Sequence, residues 1–260
     1  MNKASRLAKN AVLSHDVSKL MEAFSLVKSF SGIRIEDDYA YYTVMEYAVL
    51  YENIQAIRII FEHYGSDALK GSELIIAVGL GSIEIVDLLL SWHDDVNRVG
   101  YSDFTPLIMA AQEGKTEVAK HLLAAGADKW LYAGYDDGQS PLYVAASEGN
   151  NEIVKLLLDD IPDEQREKVN DAFIIAGIWN NFEAVELMLH AGADINGVDS
   201  DGRTLLFYAL VYGKKELTDF LLNNGASLDI ADKCGISIRH LFEDPAFLRK
   251  ISLRIKRGVL

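Results

Sequence analysis

The sequence predicts an all-α fold, a solenoid of about seven stacked helix–turn–helix units with short β-turn fingers. Three observations predict it. Residues 105–123 read TPLIMAAQEGKTEVAKHLL and residues 140–158 read SPLYVAASEGNNEIVKLLL, one pattern displaced by 35 positions. A third copy, TLLFYALVYGKKELTDFLL, occupies 204–222. Runs such as EIVKLLL over 152–158 place apolar residues at i, i+1, i+4 and i+5, the buried face of a helix. A repeat of this size cannot bury its own apolar face, so stacking on its neighbours supplies the core.

The alanine five residues after the Thr or Ser sets the register. It falls at Ala110, Ala145 and Ala209 in the clear copies. Weaker copies place it at Ala11, Ala48, Ala77 and Ala176, with a terminal one at Phe242. Successive anchors lie 37, 29, 33, 35, 31, 33 and 33 residues apart. Half of the 260 residues are hydrophobic, which is ample for a core, and only four are proline. No Pro-rich or Ser/Gly-rich linker interrupts the chain, so residues 1–260 read as a single domain. Within it, 1–38 read as degenerate N-terminal capping helices, 39–242 as repeats and 243–260 as a basic C-terminal capping helix.

Each element has a physical reason. Thr105, Ser140 and Thr204 precede a helix and can accept one of its orphan backbone N–H groups. Pro106 and Pro141 occupy the first helical position, where no hydrogen bond is lost. The pairs Ala110-Ala111 and Ala145-Ala146 let neighbouring first helices approach closely, and Gly114, Gly149 and Gly213 suit the turn that follows. A second amphipathic helix then ends at leucine pairs 122/123 and 157/158. Gly-Ala-Asp at 126–128 and 192–194, with Asn196, and Gly225-Ala226 lead into the fingers.

On these motifs the chain resembles the ankyrin-repeat family over nearly its whole length, less closely at both ends. The resemblance implies a concave binding face built from finger tips and the exposed side of each first helix. Carried over position by position, it marks Tyr101, Ser102, Phe104, Gln112 and Glu113 in the Thr105 unit. It marks Asp136, Asp137, Gln139, Ser147 and Glu148 in the Ser140 unit, then Trp179. In the Thr204 unit it marks Ser200, Asp201, Arg203, Val211 and Tyr212, and at the N-terminal side Tyr39, Tyr42 and Tyr51.

The pattern departs from itself in two places. Residues 159–168, DDIPDEQREK, replace a Gly-Ala-Asp finger, which predicts a missing hairpin, a first helix lengthened after Pro162 and a local kink. Residues 129–139, KWLYAGYDDGQ, form a long aromatic finger. Its Trp130, Tyr132 and Tyr135 either pack between neighbouring fingers or add exposed aromatics to the face.

The formal charge is −14. Arg249, Lys250, Arg254, Lys256 and Arg257 are the charged residues after Asp244, so the first 244 residues carry −19. So acidic a body repels nucleic acid and anionic membrane and attracts basic partners. No apolar run reaches the ~20 residues of a membrane span, no signal h-region follows the N-terminus, and Cys234 has no second cysteine to pair with. The expected location is the cytoplasm, or a host cytosol if the chain is a secreted effector.

Catalytic and metal motifs do not emerge. His15, His63, His93, His121, His190 and His240 form no H-E-x-x-H and have no second ligand at metal spacing. There is no G-x-S-x-G, Walker A or kinase signature. The acid pairs 94–95, 136–137 and 159–160 are adjacent in sequence rather than opposed across a cleft, as acid–base work would require. The expectation is a non-enzyme without metal or cofactor, monomeric when unbound, inserted in no membrane and bound to no nucleic acid. It engages a basic protein or peptide through an acidic-aromatic face: Tyr101, Phe104, Glu113, Asp136, Asp137, Glu148, Trp179, Asp201, Arg203 and Tyr212. The alternatives are an inhibitor or immunity protein of a basic toxin or enzyme, and a secreted bacterial effector.

Overall fold

The computed structural model describes residues 1–27, 33–36, 40–92, 95–100, 103–134 and 139–243. Helix pairs dominate, as the repeat predicts. The chain packs as two compact units, Met1–Asp128 with Ala133–Gly138 and Lys129–Tyr132 with Gln139–Leu260.

The first unit opens with α1 (Lys3–Ser14) and α2 (Val17–Ser25), capped by Asn2 and Asp16 side chains that accept from Ser5 N and Lys19 N. Ala8, Ala11 and Val12 of α1 and Leu20, Ala23 and Phe24 of α2 are buried. The chain then departs from the expected run of capping helices. β1 (Arg34–Glu36) pairs antiparallel with β2 (Tyr41–Thr43), Ile35 opposite Tyr42. The cause is a period of two: Ile35 is buried while Arg34 and Glu36 face out, and Arg34 N donates to Ser5 Oγ of α1.

Three pairs follow: α3 (Val44–Leu50) with α4 (Ile54–Tyr64), α5 (Glu73–Leu80) with α6 (Ile83–Ser91), and α7 (Pro106–Gln112) with α8 (Thr116–Ala124). The first helix of each pair packs on its neighbours' first helices, α1 on α3, α3 on α5 and α5 on α7. Two of these helices lack the Thr-Pro-Leu entry and use glutamate instead. Glu46 completes a capping box with Thr43. Glu73 stands in the proline position, fully buried, and accepts from Lys70 N and Gly71 N. Burial raises its pKa above the usual carboxylate value, and the nearby Glu46 adds to the shift.

The second unit stacks α9 (Pro141–Glu148) with α10 (Asn151–Leu157), α11 (Arg166–Ile178) with α12 (Phe182–His190), and α13 (Leu205–Val211) with α14 (Lys215–Asn223), and reaches α15 (Ile238–Glu243). Helix α11 has 13 residues against 8 in α9 and 7 in α13. It begins directly after a 3-10 turn at Asp163–Gln165. The expected loss of a hairpin and lengthening of the first helix after Pro162 are both present. Beyond Glu243 the basic tail lies outside the described residues.

The local chemistry follows the repeat. Thr105, Ser140 and Thr204 are buried and accept from Ile108 N, Tyr143 N and Phe207 N at 3.1–3.2 Å. The seven alanine anchors are each no more than 2 % exposed, which is why their spacing was the dependable signal. One substitution inside the pattern is compensated. Leu205 takes the position of Pro106 and Pro141, and residue 177, the second of the small pair, is glycine. A Cβ on Gly177 would sit 2.3 Å from Leu205 Cδ1, so the bulk gained on α13 is accommodated by the atom removed from α11.

Candidate functional site

The residue three places after each anchor closes its first helix. There the buried face has ended and the side chain turns to solvent. In the first unit these residues are Tyr51, Leu80 and Glu113, with Tyr51 and Leu80 45 % and 39 % exposed. In the second they are Glu148, Trp179 and Tyr212, with Trp179 65 % exposed and Tyr212 36 %. Glu113, Trp179 and Tyr212 are C-cap residues, and Glu148 is the last residue of α9. Sequence reasoning selected five of these six. Leu80 was missed because it is aliphatic, although its place after Ala77 was sufficient to find it.

Trp179 and Tyr212 belong to successive first helices that pack together, α11 and α13. Tyr212 stacks on Tyr208 at 6.0 Å, and Phe207 meets Tyr208 edge-on at 5.6 Å. The finger before α13 continues this aromatic row with charge. Arg203 lies over the Phe207 ring at 5.5 Å and donates to Asp201 at 2.8 Å. Asp232 of the next finger is 3.9 Å from Arg203 Nε. Arg203 is therefore held by its own acids, and Asp201 is partly neutralised. Asp199 organises this finger. Its Oδ1 accepts from Asp201 N and Arg203 N, and its Oδ2 accepts from the Tyr208 hydroxyl at 2.6 Å. Burial and this acid push the Tyr208 pKa up to about 12.

In the first unit Phe104 is half-buried, and Gly134 leaves room for it: a Cβ there would stand 2.9 Å from the ring. Glu113 is exposed. Tyr101, Asp136 and Asp137 lie outside the described residues, as do Ser102, Tyr135 and Tyr39.

Residues 129–132 of the aromatic finger pack against the acidic insert and the added turns of α11. Lys129 Nζ donates to Asp159 O, Lys168 Nζ donates to Trp130 O, and Lys168 also sits 4.6 Å from the centre of the Tyr132 ring. Tyr132 donates to Asp171 at 3.4 Å. Partial burial raises the Asp171 pKa, opposed by this hydrogen bond and reinforced by Glu167 and Asp199. Tyr132 is half-buried against α11 rather than between neighbouring fingers, and Trp130 is half-buried too.

Four of the five described histidines have structural neighbours. His121 meets Asp87 at 3.0 Å, His63 stacks on Phe24, His190 contacts Glu186 O and His240 contacts Ser237. Among the described residues no group of three or more His, Cys, Asp or Glu is placed to hold a metal ion. Among them too, no helix is long and apolar enough to cross a membrane.

Comparison with known proteins places this arrangement. A family model described as ankyrin repeats (3 copies) matches residues 45–133, 74–167, 107–199 and 162–232. The chain is 30 % identical over 170 residues to a putative ankyrin repeat-containing protein of Treponema pallidum, covering 64 % of this chain and 46 % of that protein. It is 35 % identical over 66 residues to the human transient receptor potential cation channel subfamily A member 1, covering 25 % of this chain and 6 % of the channel. It is 31 % identical over 147 residues to the Caenorhabditis elegans ankyrin repeat and KH domain-containing protein mask-1, covering 56 % of this chain and 5 % of that protein. The chain thus spans less than half the length of each of these relatives.

Proposed function

The chain belongs to the ankyrin-repeat family, and from that premise we propose that it is a non-catalytic interaction module for a basic protein or peptide. Ankyrin repeats generally mediate protein–protein interaction; the basic partner and the face that meets it are the proposal. The observation that carries it is Trp179, 65 % exposed at a position the repeat does not need for packing, next in register to Tyr212. A large exposed aromatic is costly to leave in water and is the usual anchor of an interface. Glu148 holds the same register position in the preceding repeat and Asp201 lies in the finger of the following one, and the body carries the negative charge that draws a basic partner in. On the first unit, Glu113 and Phe104 hold the corresponding register positions and are proposed for the same role, as are Tyr101, Asp136 and Asp137 from the sequence. Arg203 contributes by holding Asp201.

The test is titration of a fluorescein-labelled lysine/arginine-rich peptide with the full chain and with Trp179→Ala. We expect affinity to fall about tenfold or more in the variant, as for an interface hot spot. Equal affinity for both proteins would refute the proposed face.

A further inference from the structure

The turn that carries Trp179 holds a side chain in a left-handed position that is glycine in four of its counterparts. The residue after the C-cap column is left-handed in every repeat: it is glycine at Gly81, Gly114, Gly149 and Gly213, with φ between +65° and +81°, and carries a side chain at His15 and Glu52, with φ +54° and +51°. After Trp179 it is Asn180, at φ +61°. Asparagine tolerates this conformation better than most side chains, yet glycine adopts it freely. What marks Asn180 is the bond that its side chain accepts.

The next repeat supplies a partner for it. Lys214 follows Gly213, two residues after Tyr212, and its Nζ donates to Asn180 Oδ1 at 2.6 Å. This bond crosses from the turn of Tyr212 to the turn of Trp179. The ammonium is partly withdrawn from water, which lowers its pKa, so the geometry is held at some cost. The first unit provides the contrast. Lys115 lies over Gly81 in the same manner, its Nζ 3.6 Å from where a Cβ would stand, but glycine offers no acceptor. The crossing bond is therefore added at the step between the two exposed aromatic C-caps of the second unit.

We propose that Lys214 and Asn180 form a positioning clamp that fixes the Trp179 turn against the Tyr212 turn, so that both rings meet a partner as one preformed contact. This rests on the interaction face proposed above. Preorganisation increases affinity because the partner need not order the contact itself. The clamp accounts for two observations, the bond that crosses between the turns and the lysine drawn from solvent. It also gives Lys214 a role unrelated to charge attraction, since a positive group near the face would repel a basic partner.

Two readouts on the full chain separate the clamp from the face. The first needs no partner: the backbone and Trp179 indole 15N–1H heteronuclear NOE. Lys214→Met and Asn180→Gly should each lower the Trp179 indole value, whereas Asn180→Asp, which keeps the acceptor, should not. The second is affinity for the labelled lysine/arginine-rich peptide. Lys214→Met and Asn180→Gly should each weaken it about three- to tenfold, the loss of one hydrogen bond's ordering. The double variant should be no weaker than either single one. Unchanged Trp179 NOE values in both single variants, or tighter peptide binding by Lys214→Met, would overturn the clamp. If Trp179→Ala leaves peptide affinity unchanged while the NOE values respond, the proposed face falls and the crossing bond stands as a device of stability alone, which also overturns its role in recognition.

Discussion

A glycine inside a helix costs about 1 kcal/mol relative to alanine, so Gly177 needs a reason to persist. The reason is Leu205, whose buried side chain fills the space a methyl group would take. Gly177→Ala should gain about 1 kcal/mol in helix propensity and lose about 1–3 kcal/mol in overpacking, a net destabilisation. Leu205→Pro should also destabilise, by opening a void above Gly177. The double variant restores the Pro and Ala-Ala pattern of the orthodox repeats and should be more stable than the sum of the single losses predicts. Urea denaturation of the four proteins measures this, and strict additivity would refute the pairing. The compensation was written in the sequence, as a missing Pro and a missing Ala one period apart. It could not be read there, because neither residue is unusual until the two are known to touch. The alanine anchors were legible for the opposite reason: each obeys the same packing constraint and so repeats.

At the scale of elements, the finger before α13 is held by one carboxylate. Asp199→Ala would orphan the amides of Asp201 and Arg203 and the hydroxyl of Tyr208, at a cost of about 1–3 kcal/mol. Faster hydrogen exchange at the Asp201 and Arg203 amides should accompany the loss, and unchanged exchange would count against Asp199 as organiser. Tyr208 makes the same network respond to alkali. The folded protein keeps the phenol proton until about pH 12, while an unfolded chain releases it near the ordinary tyrosine value of 10.0. Between these values the unfolded state binds fewer protons, so this contribution to stability falls as pH rises. Tyr208→Phe should remove that part of the alkaline slope, as seen in melting temperatures from pH 9 to 12. The helices and the lengthened α11 were legible from periodicity, Pro162 and the absent finger. The β1–β2 ladder was not. Its three-residue strands carry too short an alternation to stand out beside a helical repeat, and its pairing depends on α1 holding Arg34. The interaction residues were legible as register positions, but their partners, such as Asp232 for Arg203 and Lys214 for Asn180, lie a full repeat away.

At the scale of the molecule, the formal charge of −14 sets a prediction with two opposite signs. Like charges oppose compaction, so added monovalent salt should raise the melting temperature of the free chain modestly. The same screening should weaken capture of a basic peptide by the proposed face. Thermal melts and peptide titrations from 0.05 to 0.5 M NaCl, as about a tenfold range around physiological screening, read both. Peptide affinity that holds constant across the series would mean that charge does not guide the partner. The Gly177–Leu205 contact bears on the history of the array as well as its stability. Ankyrin arrays are quasi-one-dimensional, and in principle a period can be excised or copied without harm to the rest. Here the α13 repeat is fitted to a predecessor that lacks a methyl group at one point. Deleting the α11–α12 period would bring Leu205 against Ala146 and its methyl group, whereas behind Leu210 the register already seats an apolar residue as large, the buried Ile238. Loss of the α11–α12 period would therefore leave a misfit of a single carbon, while a gain after α13 would not.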